Sequence, residues 1–374
     1  MKVLYDYQAF TMQRFGGVSN CFVQLIKNLP SDCEYMIGLK QSNNVHLSES
    51  HLMPFSPSKI TIDHFRGKVR LMHLFNCLLP GFTDESINQR YSIELLKEGD
   101  FDIFHPTFFN DYFLYYLHKK PFVLTVHDMI PELFWGNLKR EMQIRNKKKL
   151  CDAASHIIAV SEKTKQDLCE MLHVHPNKVT VIYHASHQQK PVTENPIIKE
   201  KYLLYIGARI GYKNFIPMVR SLSQFLYTHK DFRLVCTGPS FTKEEGQLFN
   251  KLGISDQIIH YGASDKEMPN LYHYAQCFIY PSLYEGFGIP ILEAYEADCP
   301  VLLNTKSCFP EIAQQAAVYF TLDSNKDTLV ETLNTFLSSF VNREIIIQKQ
   351  SERLLHFSWE KSAHKLNELY LSLT

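Results

Sequence analysis

Short runs of apolar, β-branched and aromatic residues recur along the chain, several of them separated by segments long enough for a helix. Runs of this kind, bounded by polar or turn-forming residues, predict strands. In the first half they are Val3–Tyr5, Tyr35–Leu39, Ile103–His105, Phe122–Val126, His156–Val160 and Val179–Tyr183. Over residues 187–200 (HQQKPVTENPIIKE) the pattern lapses into polar residues and two prolines, which predicts an interdomain linker. It resumes with Tyr202–Ile206, Arg233–Cys236, Ile258–Tyr261, Cys277–Tyr280 and Val301–Leu303. Strand and helix alternating twice over is the rhythm of an α/β protein with two parallel, doubly wound, Rossmann-like halves. No internal repeat or low-complexity segment interrupts it.

Composition changes this picture little. The 374 residues, 45% of them hydrophobic, suffice for a full core in each of two domains. A formal net charge of zero removes the bulk electrostatic argument for a nucleic-acid partner. The opening MKVLYDYQAF reads as a buried strand rather than a signal peptide, and no apolar run reaches the roughly 18 residues needed to span a bilayer. Nine cysteines, scattered without C-x-x-C pairs, read as reduced core residues. These features predict a cytoplasmic enzyme.

The segment carrying most chemistry is Pro281–Ala294, PSLYEGFGIPILEA, where the strand Cys277–Tyr280 runs into a glycine-containing loop and then a helix. Gly286 and Gly288 allow a sharp turn and close approach to a ligand, and Pro290 suits a first helical turn. A helix starting there aims unpaired N–H groups and partial positive charge forward, which favours a diphosphate. Glu285 on the loop and Glu293 in the helix are bidentate acceptors of the kind that sugar and ribose diols need. A departing diphosphate also needs fixed donors. Lys213 in G-Y-K-N is the first candidate and Arg209 the second, with Gly207 and Gly211 shaping their loop. Gly16 and Gly17 follow the first strand without the G-x-G-x-x-G spacing of a dinucleotide fingerprint, which argues against a dehydrogenase. His127, at the carboxyl end of a strand, lies where open α/β sheets hold ligands, with His105 and His184 weaker candidates for lining the site. Asp100-Phe101-Asp102 reads as a turn into a strand rather than a metal pair, and the remaining histidines show no metal spacing.

The motif E-G-F-G-I-P-I-L-E resembles the signature of retaining glycosyltransferases of family GT4 and the GT-B fold. Four further stretches resemble that family's blocks in order: YDYQAFTMQRFGGVSNCF (Tyr5–Phe22), VLTVHDMIPELF (Val123–Phe134), HIIAVSEKTKQDL (His156–Leu168) and YLLYIGARIGYKNF (Tyr202–Phe215). The likeness implies two Rossmann-like domains facing each other across a cleft. These are an acceptor-side domain over residues 1–190, a nucleotide-sugar domain over 191–357, and a helix over 358–374 returning to the first. It implies Glu285, His127, Lys213 and Arg209 as catalytic residues, with His127 near the 6-position of the donor sugar. Donor binding falls to Glu293, Gly286, Phe287, Gly288, Gly16, Gly17, Gly207 and Tyr261, and Glu311 resembles a further position near ribose or phosphates. Many relatives carry Arg directly before the lysine, where this chain has Tyr212. Neither metal nor cofactor is expected, only a nucleoside diphosphate sugar as co-substrate. Basic side chains and a helix dipole take the metal's place.

The blocks YDYQAF, VHDMIP and GYKNF look most like bacterial mannosyl- or rhamnosyltransferases of surface polysaccharide assembly. That suggests GDP-mannose as donor and a glycan or polyprenyl-linked saccharide as acceptor. A UDP-sugar-dependent transferase, a silent nucleotide-sugar-binding partner and a UDP-N-acetylhexosamine epimerase are the alternatives. Residues 65–82 (FRGKVRLMHLFNCLLPGF) mix basic and apolar residues, suiting peripheral contact with an anionic inner membrane or an amphipathic helix covering a sheet.

Overall fold

Twelve strands form in the computed structural model, which describes residues 1–58, 83–134, 138–186 and 193–374, and not the side chains of 138–140. They are β1 (Lys2–Tyr5), β2 (Glu34–Ile37), β3 (Ile103–His105), β4 (Val123–Val126), β5 (His156–Ala159), β6 (Val179–Val181), β7 (Lys201–Tyr205), β8 (Phe232–Cys236), β9 (Ile258–His260), β10 (Cys277–Tyr280), β11 (Val301–Asn304) and β12 (Val318–Phe320). Every predicted strand is present, within a residue or two at its ends. Only β12 was missed; a three-residue edge strand, V-Y-F, gives almost no periodic signal. All pairs of these strands are parallel. The basic-apolar segment 65–82 lies outside the described residues.

The chain divides into two compact units, Met1–His184 with Trp359–Thr374, and Ala185–Ser358. In the first, β2-β1-β3 and β4-β5-β6 are joined where Phe104 bridges Phe122 and the Phe104 N–H donates to Pro121 O at 3.1 Å. The resulting order, 2-1-3-4-5-6, reverses direction between β1 and β3. At that reversal Asp6 is fully buried and accepts from Thr107 N (2.9 Å), Thr107 Oγ1 (2.7 Å) and Gln8 Nε2 (2.6 Å). Burial holds its carboxyl above the usual range, and these donors partly offset the cost. Asp6 therefore stitches β1 to the chain leaving β3. The last helix, Trp359–Leu371, buries Trp359, Ala363, Leu366 and Tyr370 in this first unit. The Tyr370 hydroxyl closes a buried chain with Tyr5 OH (2.9 Å) and His105 Nδ1 (2.5 Å), while His105 Nε2 meets Thr125 Oγ1 at 2.8 Å.

The second unit carries one six-stranded sheet ordered β12-β11-β10-β7-β8-β9. Numbered within the unit this is 3-2-1-4-5-6 read from the β9 edge, the doubly wound order, with its switch point between β7 and β10. Helix Phe215–Thr228 shows why the layer forms. Phe215, Met218, Val219, Leu222, Phe225 and Leu226 recur at helical spacing and all are buried. They pack on Leu203, Tyr205, Leu234 and Ile279 from the sheet. Each such side chain contributes about 1.5–3 kcal/mol on leaving water.

Candidate active site

The switch point brings the loops after β7 and β10 together. Leu283 N donates to Tyr212 O at 2.8 Å, tying one loop to the other. Across this junction Lys213 Nζ and Glu285 Oε1 stand 2.7 Å apart, with only 17% and 10% of their side chains exposed. The ammonium lies 5.4 Å from the ring centre of Tyr212 and 5.8 Å from that of Tyr280. Burial, with the Glu285 carboxylate nearby, raises the Tyr280 phenol far above its ordinary value. A cation and a carboxylate, largely shielded at the carboxyl end of the sheet, are thus held ready for a polar ligand.

Glu285 is fixed through its backbone. Its N–H donates to Ser307 Oγ (2.8 Å), Ser307 Oγ donates back to Glu285 O (2.7 Å), and Cys308 Sγ reaches Glu285 O and Phe287 O at 3.3 and 3.1 Å. Ser307 and Cys308 follow β11 in the N-T-K-S-C stretch, and their place beside a strand's carboxyl end was the signal available for them. Phe287 is buried edge-on to Phe357 at 5.8 Å, and Gly286 is buried beside it. Gly288 has φ of +93° and opens helix Ile289–Glu296. An added Cβ would sit 3.1 Å from the flexible tip of Ile291, Cδ1, so it is the backbone conformation that calls for glycine. Glu293, half-buried in that helix, accepts from Tyr272 OH at 3.0 Å.

Arg209 lies elsewhere in the same loop. It forks onto Glu245, Nε to Oε1 at 2.7 Å and Nη2 to Oε2 at 3.2 Å, and donates from Nη2 to Ser240 O at 2.8 Å. Glu245 in turn completes a capping box with Thr242 on helix Lys243–Leu252. The pair anchors the Gly207–Lys213 loop to that helix, while Arg209 Nη1 stays buried without a hydrogen-bond partner among the described residues. Gly207 has φ of +107° and its carbonyl oxygen lies 2.6 Å from where a Cβ on Gly238 would stand, so the loops after β7 and β8 touch backbone to backbone. Gly211 opens the short turn carrying Lys213. Tyr261, following β9, donates to Glu267 at 2.7 Å. Glu311 lies half-buried in the first turn of helix Phe309–Ala313.

In the first unit, Gly16 caps helix Gly17–Lys27 in extended conformation, and Gly17 is exposed. His127 follows β4, and its Nε2 is buried without a hydrogen-bond partner among the described residues. It stacks on His184 at 5.7 Å and meets the Phe22 ring edge-on at 5.9 Å. Burial, with the nearby Lys147 charge, lowers its pKa to about 4. Lys147 is itself buried against Glu132 at 2.9 Å and Asp128 O at 3.0 Å, holding the turn after His127. His105 does not line a site: it is wholly buried, and burial lowers it to about 3. Asp100 and Asp102 both serve Lys2 at the amino end of the sheet, Asp102 accepting the Lys2 N–H at 2.7 Å. The eight described cysteines are all free.

The ring resonances of His105, His127 and His184 are expected to stay at their neutral positions from about pH 8 to about pH 5 in an NMR titration; a midpoint near 6.5 for any would contradict the buried placement. Because the folded pKa values lie below the unfolded value near 6.5, the unfolded state takes up more protons as pH falls. The imidazole part of the stability is thus complete above about 6.5 and declines below it, by roughly 1.4 kcal/mol per pH unit for each ring.

The model "Glycosyltransferase Family 4" matches residues 15–186 and "Glycosyl transferases group 1" matches residues 188–353. The O-antigen chain mannosyltransferase RfbU of Salmonella typhimurium is 26% identical over 205 residues, covering 54% of this chain and 57% of the relative. The GDP-mannose:cellobiosyl-diphosphopolyprenol alpha-mannosyltransferase of Xanthomonas oryzae is 24% identical over 205 residues, covering 54% and 53%. The matched stretch thus spans little more than half the length of these relatives. Among solved structures, Anabaena Alr3699/HepE, crystallised with UDP and glucose, superposes with a TM-score of 0.73 at 16% identity over 99% of each chain. No helix among the described residues is long and apolar enough to cross a membrane. Two family models meeting at the division between the units, on a fold shared along the whole chain, make this a member of the family 4, group 1 glycosyltransferases of GT-B type.

Proposed function

We propose that the protein transfers a hexose from a nucleoside diphosphate sugar to a glycan or polyprenyl-linked saccharide, with retention at the anomeric carbon and without a metal. The observation that carries this reading is the Lys213–Glu285 pair at the switch point, in front of the helix headed by Gly288. The bond from the anomeric carbon to the diphosphate breaks, the acceptor oxygen bonds the same face of that carbon, and its proton passes to the leaving phosphate oxygen. Lys213 and the helix N–H groups stabilise the charge that develops on the diphosphate. Glu285 steadies the sugar and its oxocarbenium-like charge, Glu293 receives ribose hydroxyls, and His127 offers Nε2 to a sugar hydroxyl. Arg209, bound to Glu245, positions the loop that carries Lys213.

We take GDP-mannose as the donor, supported by the two relatives named as mannosyltransferases, one of them for GDP-mannose. The polyprenyl-linked acceptor named for that relative supports work at the cytoplasmic membrane face in surface polysaccharide assembly. A thermal-shift panel of GDP, UDP, dTDP, ADP and CMP with their common sugars tests the donor. A ligand at about 100 times its Kd adds about 2.7 kcal/mol of stability, so a rise in Tm confined to GDP and GDP-mannose is expected. A shift with UDP alone would replace the donor, and no shift with any nucleotide would count against a working nucleotide-sugar site.

A further inference from the structure

Three donor groups of the first unit converge on one another. Cys21 lies on the buried face of helix Gly17–Lys27, His127 follows β4, and His184 follows β6. One ligand atom from each lies within 4.8 Å of the other two. Cys21 Sγ and His184 Nδ1 are 3.3 Å apart, and the unpartnered buried Nε2 belongs to His127. Phe22 packs on His127, and Trp359 packs on His184 at 5.6 Å. The group is therefore a thiol and two neutral imidazoles with an aromatic wall.

That donor set selects among cations. Magnesium and calcium require oxygen ligands, whereas sulfur and imidazole suit zinc and its neighbours. In a tetrahedral zinc site, with bonds of about 2.3 Å to sulfur and 2.0–2.1 Å to nitrogen, ligand atoms stand about 3.5 Å apart. The Cys21–His184 separation already matches this, and small side-chain rotations bring in His127. Cys21 would bind as the thiolate, its proton passing to solvent, and three protein ligands leave a fourth position for water.

We propose that Cys21, His127 and His184 form a zinc-class metal site, and that an ion bound there blocks rather than serves the protein. The blocking half rests on the function proposed above, because the ion occupies the His127 nitrogen offered there to the sugar. The binding half stands by itself.

Cobalt(II) titration of the full chain reads binding without activity. One equivalent should give a tetrahedral spectrum with a thiolate-to-cobalt charge-transfer band, which zinc displaces. The band should vanish in Cys21→Ser, weaken at least tenfold in affinity in His184→Gln, and persist in Cys169→Ser, a control at a half-buried cysteine. A wild-type protein without the band, or a band that survives Cys21→Ser, overturns the site. In the transfer assay, zinc should suppress wild-type turnover, chelator should restore it, and Cys21→Ser should keep its basal rate and ignore zinc. Turnover indifferent to zinc while the cobalt band is present overturns the blocking role. Absence of turnover before any zinc is added refutes the transferase reading instead and leaves the cobalt result standing.

Discussion

Glu285→Gln should lower turnover by about a hundred- to a thousandfold, the usual loss when one preorganised group facing developing charge is removed. Donor affinity should change by less than about tenfold, or 1.4 kcal/mol, because Gln keeps the shape and can still hydrogen-bond a sugar hydroxyl. The backbone of Glu285 is held by Ser307 and Cys308 independently of its side chain, so the loop should survive the change. Glu293→Gln should divide differently. Losing a charged acceptor costs about 1.5–3 kcal/mol, or roughly ten- to a hundredfold in nucleotide Kd, with turnover at saturation little altered. Gln can still accept from Tyr272 OH, so the helix keeps its anchor. Kinetics at saturating donor, together with calorimetric nucleotide affinities, separate the two effects. If both variants lost affinity alone, the two carboxylates would share one binding role.

Lys213→Ala should be the more damaging change. It removes the cation that meets the leaving diphosphate and strips Glu285 of its partner at 2.7 Å. We expect turnover to fall at least as far as in Glu285→Gln, with nucleotide affinity reduced as well. The informative measurement is the double variant Lys213→Ala/Glu285→Gln. Groups that act as a unit are strongly non-additive, so its turnover should lie within about tenfold of the worse single variant. Multiplicative losses would show that lysine and glutamate act separately.

How far these residues were readable beforehand depends on the range of the interaction. The strands β1 and β10 announce themselves because a strand buried on both faces must be a short apolar run, and Gly288 because only glycine tolerates φ of +93° there. Lys213 and Glu285 were each visible through their motifs, but their ion pair spans 72 positions and exists only because the sheet places β7 beside β10. Arg209 is a second case, since its bidentate partner, Glu245, lies 36 residues away in the chain. Nothing local to either residue encodes that pairing.

By itself, then, the amino-acid order determined the α/β alternation, the glycine loops at strand ends and the chemical types of the site residues. These depend on neighbours within a turn or a strand. Tertiary structure alone decided the sheet order, the locking of Arg209, the burial of His105 under Tyr370 and the meeting of Cys21 with His127 and His184. Those contacts join segments far apart in the chain, and they follow from which strands lie side by side, a choice made by packing the whole unit rather than by any local pattern.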